Sequence, residues 1–375
     1  MSTFIEEDVV KYYIDWANGD DSSGDGSEGS PWKTITKMVA IINAGASSAF
    51  DGDMFIIKNT GVYAEAAQID ITFLGQDCII TGANAEGEID GTQIVVSGEN
   101  LNDSTPMFQF NDASGRSDYT VWANIHFDAK DIAQHCMEAT TNNNHGVTFI
   151  NCRFSNATDA GCKPNSSNYW SFVKCRFDNN AGSGFLQASG SLFSLLYKCI
   201  FDNNGDDGCR CGGWGRIVEC VFHNNEDRGL QAGHGGSIVV GCIFDHNRED
   251  GVYITGSGTS LYSDNIFSNN TENGIQAGSN TESHHFNSLF YNNNVDFNDL
   301  TGSNSNMKYF NYIPGASGVN PSYPGGTAPN FDFTMGPVAS AAHNAGFPMP
   351  FSLHGSTTDS PGLMKYVNTE TISIF

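Results

Sequence analysis

Between Phe127 and Phe290 the apolar and polar positions recur as one unit. A Phe falls at Phe127, Phe154, Phe177, Phe201, Phe222, Phe244, Phe267 and Phe290, with spacings of 27, 23, 24, 21, 22, 23 and 23 residues. Two residues before it stand Cys152, Cys175, Cys199, Cys220 and Cys242, continued by Asn265 and Ser288. Three residues after it stand Asn180, Asn204, Asn225, Asn247, Asn270 and Asn293, with Ala157 the exception. Seven after it comes Gly161, Gly184, Gly208, Gly229, Gly251 or Gly274, and the next residue is apolar or Cys. A further apolar run, such as Ile217-Val218 or Ile238-Val239-Val240, precedes each Cys.

Cys and Phe at i and i+2 share one face of a strand. Each unit thus reads as strand, Cys-Phe strand, Asn turn, Gly and strand. A repeat of about 20–50 residues signals a solenoid or propeller, and a propeller blade needs four strands and about 40 residues. Three short strands in about 22 residues describe an all-β parallel β-helix. Stacked in register, every column becomes a ladder with rungs about 4.8 Å apart. The Asn column is then expected to hydrogen-bond from rung to rung, as in cross-β ladders. Gly is expected where the backbone turns with positive φ.

Residues 1–60 read as an N-terminal cap, 61–310 as the β-helix and 311–375 as a loop-rich C-terminal cap and tail. In the cap, Tyr12 to Asp15 reads as a strand and Asn18 to Gly29 as a loop. A short capping helix is expected from Ser30 as N-cap with Pro31 at its first position. Its apolar stripe is Ile35, Met38, Val39 and Ile42. Such a helix would cover the open end of a solenoid. Early strands are expected around Ile69–Ile71, Cys78–Ile80, Gln93–Val96 and Met107–Phe108, with a loop from Asn111 to Asp118. The extreme C-terminus, Thr371 to Phe375, is apolar and is expected to dock on its own body or on a partner.

The run Tyr13-Ile14-Asp15, Asn18-Gly19, Ser30-Pro31-Trp32-Lys33-Thr34-Ile35, Gly52-Asp53 and Gly61-Val62-Tyr63 resembles the N-terminal signature of the pectin-lyase-like superfamily. Asp332 to Met335 with Ala341 to Gly346 is similar to a segment that closes such proteins. The resemblance implies a right-handed, single-stranded parallel β-helix over most of the chain. That superfamily includes polysaccharide lyases, glycoside hydrolases, phage tailspikes and inert surface proteins, so the fold does not choose a function.

Composition narrows the partners. Asp and Glu number 42 against 17 Lys and Arg, a formal net charge of −25. Phosphate backbones need clustered Lys and Arg, so nucleic acid is not expected as a partner. No apolar run approaches the roughly 20 residues of a membrane span. Ten Cys are present, and five form one interior column, so they are expected to be free, buried thiols rather than disulfides. Met1 to Asp8 lacks the basic and apolar regions of a signal peptide. Both features lead to the expectation of synthesis in a reducing cytosol, with secretion as the alternative.

Five sets of residues could carry function. Gly205-Asp206-Asp207-Gly208 with Gly233-His234-Gly235 resembles the aspartate pair and Gly-His-Gly of polygalacturonases, which would make Asp206, Asp207 and His234 catalytic. The family's upstream Asn-Thr-Asp has no counterpart here, and His234 falls twelve residues after its Phe against five and six for the aspartates. Second, Asp206, Asp227, Glu249 and Glu272 share one column, whose repulsion Ca²⁺ would relieve; no cofactor is needed for folding. Third, Lys163 and Arg210 share a column, as do Lys174 and Lys198, without a His or Tyr partner at a matching position. Fourth, Ile200, Val221, Ile243, Ile266 and Leu289 fall between two inward positions and should form an outward apolar stripe. Tyr253, Tyr262 and Trp214 are the candidates for stacking on sugar rings.

The favoured expectation is a non-catalytic structural β-helix of a phage particle, a surface decoration or tail spike-like element. It would be made in the host cytoplasm and carried on the virion surface. Its partners would be copies of itself, three in the tailspike arrangement, other virion proteins and a polysaccharide. The alternative is a polysaccharide lyase or glycoside hydrolase acting on an acidic polysaccharide.

Overall fold

The structure, a computed structural model, describes residues 9–310 apart from 46–48, 73–76, 112–118, 141–145, 166–168, 188–193, 235, 257, 279–280 and 300–305. The expected loop from Asn111 to Asp118 therefore falls almost wholly outside the described residues, as does the tail from 311 to 375. The chain coils right-handed through three parallel sheets of 12, 10 and 10 strands, each strand pairing with its counterpart one coil away. The Phe sheet carries the repeat Phe, as in Arg176–Asp178, Ile200–Asp202, Val221–His223 and Ile243–Asp245. The Gly sheet follows the repeat Gly, as in Phe185–Gln187, Cys209–Gly213 and Leu230–His234. The leading sheet precedes the Cys, as in Leu195–Tyr197, Arg216–Val218 and Ile238–Val240.

The register is the one the columns require: Phe201 pairs with Phe222 and Phe222 with Phe244. All eight repeat Phe side chains are buried and stack face to face, with centroids 4.7–5.2 Å apart. Such pairs contribute about 0.5–1.5 kcal/mol each beyond the area they bury.

The Asn column is a continuous buried ladder. Each carboxamide from Asn180 to Asn270 donates to Oδ1 of the Asn one coil later at 2.9–3.0 Å. That same Oδ1 also accepts the earlier Asn's backbone N–H, while each Nδ2 reaches a Phe carbonyl behind it, as Asn225 does to Phe201 at 3.3 Å. The carboxamides thus satisfy backbone groups that the turn leaves out of the sheets.

The Cys column does more than fill space. Its five members are buried, and the backbone N–H of Cys199 and of Cys220 each meets the next thiol at 3.4 Å. At the next rung the acceptor is Oδ1 of Asn265, 2.9 Å from the N–H of Cys242. Asn can therefore continue a Cys column because both offer an acceptor to the same corner.

The turning residues differ from the expectation. The repeat glycines are absent from the positive-φ residues, and left-handed corners are made instead by residues on either side of the Phe that, apart from Gly241, bear side chains. Before it stand Lys174, Lys198 and Glu219; after it stand Asn179, Asn203, Asn224 and His246, all with φ of 53–56°. Gly is required for space. A Cβ on Gly208 would lie 2.7 Å from the Gly229 carbonyl oxygen and 2.8 Å from Asn225 Nδ2.

The N-terminal region also differs. Its strand, Lys11–Asp15, is the first of the leading sheet and pairs with Met54–Lys58. The coil stack therefore begins within the residues read as a cap. The helix runs Ile35–Ala44 with Thr34 as N-cap, whose side chain accepts from the Lys37 N–H. Ser30 is instead in a tight reversal with Ser27, and Trp32 bridges to Ile14. Ile35, Met38, Val39 and Ile42 are buried as the stripe predicts. Asn43 holds the edge strand Ile69–Ile71 from the side, donating to Asp70 O at 2.8 Å and accepting from Thr72 N at 3.2 Å. No helix among the described residues is long and apolar enough to cross a membrane.

Candidate functional site

Ionisable groups converge where the Asn turn passes into the Gly sheet. Backbone hydrogen bonds stack the acidic column: Asp227 N to Asp206 O, Glu249 N to Asp227 O and Glu272 N to Glu249 O, at 3.3, 2.9 and 3.0 Å. The side chains do not remain a simple column. Arg228 is inserted among them and meets Glu249 at 2.6 Å, Asp207 at 3.5 Å and Asp250 at 3.8 Å. Arg210 grips the fully buried Asp207 through Nη2 at 2.8 Å and Nε at 3.0 Å, and reaches Asp206 at 3.5 Å. The carboxylates that stay together are Asp206, Asp207 and Asp227, with ligand atoms within 4.8 Å of one another. Glu249 and Glu272 are not in that group.

Protonation follows from this crowding. Burial first, then the hydrogen bond shared with Asp206 and the charge of Glu249, push the Asp227 carboxyl up to about 6. Burial raises Asp206 as well, but hydrogen bonds from Asp227 and Ser183 hold it below the usual range. Of the two, Asp227 takes up a proton first as pH falls. Asp250 is also pushed up to about 6, chiefly by burial, against the pull of Asn273.

The backbone of His234 stands further along the Gly sheet. It ends the strand Leu230–His234 and pairs with Gly213. Arg228 is the counterpart of Asp207 one coil on, and His234 lies six residues beyond it, roughly 20 Å along an extended chain.

Two partners were invisible to sequence spacing. Lys163 Nζ lies 3.2 Å from Nε2 of the buried His135 and 3.4 Å from Glu138. Nδ1 of His135 faces the Ala160 carbonyl at 3.1 Å, which places its proton there and leaves Nε2 to accept. Burial first, then the Lys163 charge, lower the pKa of His135. Counting from Phe127 misses the pair because that coil is 27 residues long, and Met137, ten after its Phe, pairs with Cys162, eight after its own. The second partner is Tyr253, whose ring lies 4.8 Å beneath the Arg228 guanidinium. Tyr262, a candidate for sugar stacking, is fully buried and stacks on His285 at 4.9 Å, so it offers no outer surface. Trp214 is 49% exposed.

The apolar column forms on the outer face of the Phe sheet, where Ile200, Val221, Ile243, Ile266 and Leu289 are successive register partners. Four are half-buried, and Ile243 is only 5% exposed. On the same face Arg153 meets Asp178, and Arg176 meets Asp202 at 2.8 Å.

A family model described as "Right handed beta helix region" matches residues 42–240 and 215–313, more than half of the 375 residues. No curated protein matches. Solved structures with the same fold include XylC in complex with xylose, 13% identical with a TM-score of 0.59 over 83% of this chain and 76% of that one. Pectate lyase Pel9A is 14% identical, with a TM-score of 0.54 over 84% and 78%. The A-module of the Azotobacter vinelandii mannuronan C-5 epimerase AlgE4 is 13% identical, with a TM-score of 0.52 over 84% and 100%.

Proposed function

The chain belongs to the right-handed β-helix family, and from that premise we propose that it is a non-catalytic structural β-helix of a phage particle, assembled from parallel copies as a surface decoration or tail spike-like element. The observation that carries this reading is the apolar column Ile200, Val221, Ile243, Ile266 and Leu289, continuous over five coils of one outer face. A continuous apolar stripe on a surface is the usual mark of an interface. A stripe parallel to a rod's axis suits side-by-side association around a closed symmetry axis, three copies being the tailspike arrangement. Ten buried free thiols suit assembly in a reducing cytosol, where phage particles are built before lysis. The solenoid holds its own core without a cofactor.

Light scattering on the purified chain tests the reading. A defined oligomer is expected, and Ile266→Asp should disperse it. Ile266 is preferable to Ile243, because an aspartate at the 5% exposed position would be buried in a single chain. A monomer would sink the interface.

A second reading, a lyase or hydrolase of an acidic polysaccharide, is favoured by the clustering of Asp206, Asp207 and Asp227 beside Arg210 and Arg228. Release of unsaturated or reducing ends from pectate or alginate would establish it. Loss of that release in Asp227→Asn would locate it.

A further inference from the structure

On the Phe sheet two residues depart from the repeat at adjacent positions. One residue after the Phe the column reads Ser155, Asp178, Asp202, His223, Asp245 and Ser268. Two after it, the left-handed corners read Asn156, Asn179, Asn203, Asn224, His246 and Asn269. The two histidines fall on neighbouring coils, with Asp245 as the register partner of His223. His223 Nε2 lies 3.9 Å and His246 Nδ1 2.8 Å from the same oxygen, Oδ2 of Asp245. All three ligand atoms lie within 4.8 Å of one another.

The groups behind them are already arranged. Nδ1 of His223 meets Oδ1 of Asp202 at 3.0 Å, which fixes its proton on that nitrogen and leaves Nε2 with a lone pair toward Asp245. Asp202 is itself held by Arg176 at 2.8 Å. The other oxygen of Asp245 accepts from Ser268 Oγ at 2.6 Å and Asn269 Nδ2 at 2.9 Å, so Oδ2 is the one turned to the histidines. A carboxylate behind a ligating His and hydrogen bonds behind a ligating carboxylate are the usual supports of a metal centre. Ligands about 2.1 Å from one ion stand roughly 3–4 Å from each other, close to the spacing here.

We propose that His223, Asp245 and His246 bind one first-row divalent transition-metal ion, of the Zn²⁺ class, at the surface of the Phe sheet. Two imidazoles and one carboxylate select such ions over Ca²⁺ and Mg²⁺, which take oxygen ligands. The side chains of His223 and His246 are 45% and 42% exposed, so water completes the coordination shell. The ion would tie two successive coils together at their corner.

Isothermal titration of the untagged, metal-free protein with Zn²⁺ tests this. One Zn²⁺ per chain is expected, with affinity unchanged by millimolar Ca²⁺. His246→Asn inserts the residue that both neighbouring coils carry in that column, and His223→Ser the residue that Ser155 and Ser268 supply further along the other, so both variants should fold. Each should lower affinity at least about tenfold, and Asp202→Asn, which touches no metal, by about 10–100-fold. Co²⁺ should give a visible absorption band that both histidine variants lose. Absence of saturable binding, unchanged affinity in both histidine variants, or zinc binding abolished by Asp227→Asn instead would each overturn the proposal.

Discussion

The side-chain amide of Asn225 donates to Oδ1 of Asn247 at 2.9 Å, and both residues are fully buried. Asn225 also accepts from the backbone and the side chain of Asn204, at 3.2 and 2.9 Å. Asn225→Ala leaves those donors and the Phe201 carbonyl without partners. It should cost on the order of 1–3 kcal/mol in chemical denaturation, the penalty for unsatisfied buried groups. An unchanged midpoint would mean that the ladder is decorative.

Phe222 lies between Phe201 and Phe244, 4.7 Å from each. Phe222→Ala opens a cavity that the coils above and below cannot close, because their own strands are fixed by the sheets. A loss of about 3–5 kcal/mol is expected. Because a solenoid couples only to its neighbours, the variant should also show a broader unfolding transition.

All ten cysteines are free and buried. Burial pushes the Cys78 thiol up to about 12 and holds those of Cys175, Cys199, Cys220 and Cys242 well above the usual thiol range. Thiolate is the reactive form, so a thiol reagent at neutral pH should be inert toward the folded chain. In denaturant without reductant it should find all ten. Three or more missing would point to disulfides.

Asp250 has a folded pKa of about 6 against an ordinary 3.8. A raised pKa means the folded state holds the proton more tightly. Its contribution to stability is present below the unfolded value and is lost as pH rises through about 6. Asp250→Asn removes that cost. The variant's stability relative to the parent should therefore rise between about pH 4 and pH 7, by on the order of 2 kcal/mol. A difference that is flat with pH would refute the assignment.

The fold was readable because repetition turns weak signals into columns. One Cys-x-Phe says little, but five in phase fix a strand face, and the register pairs follow those columns. The repeat glycines misled: sequence shows that Gly is required, but not whether for φ or for space. The neighbouring coil's carbonyl, 2.7 Å from a hypothetical Cβ on Gly208, decides for space. Ser30-Pro31 misled similarly, as a good start signal outcompeted by the pairing of Trp32 with Ile14. At the acidic site the backbone column was legible, yet one long side chain, Arg228, redistributes its charges across three coils. Side-chain reach of that kind leaves no periodic trace. Neither does the Lys163–His135 contact, whose two residues sit on coils of different length.

The Asn ladder has one further consequence. Its amides all point the same way, from Asn180 toward Asn293, so the chain of carboxamides is a one-way relay in which every member is both donor and acceptor. Aligned dipoles reinforce each other. The rod therefore has an electrical head and tail running through its interior. A coil spliced in whole, with its Asn in phase, extends the relay and lengthens the rod by about 4.8 Å. An aspartate in the same place has no proton to pass forward and sets two acceptors face to face. The molecule is thus modular in length but not in direction.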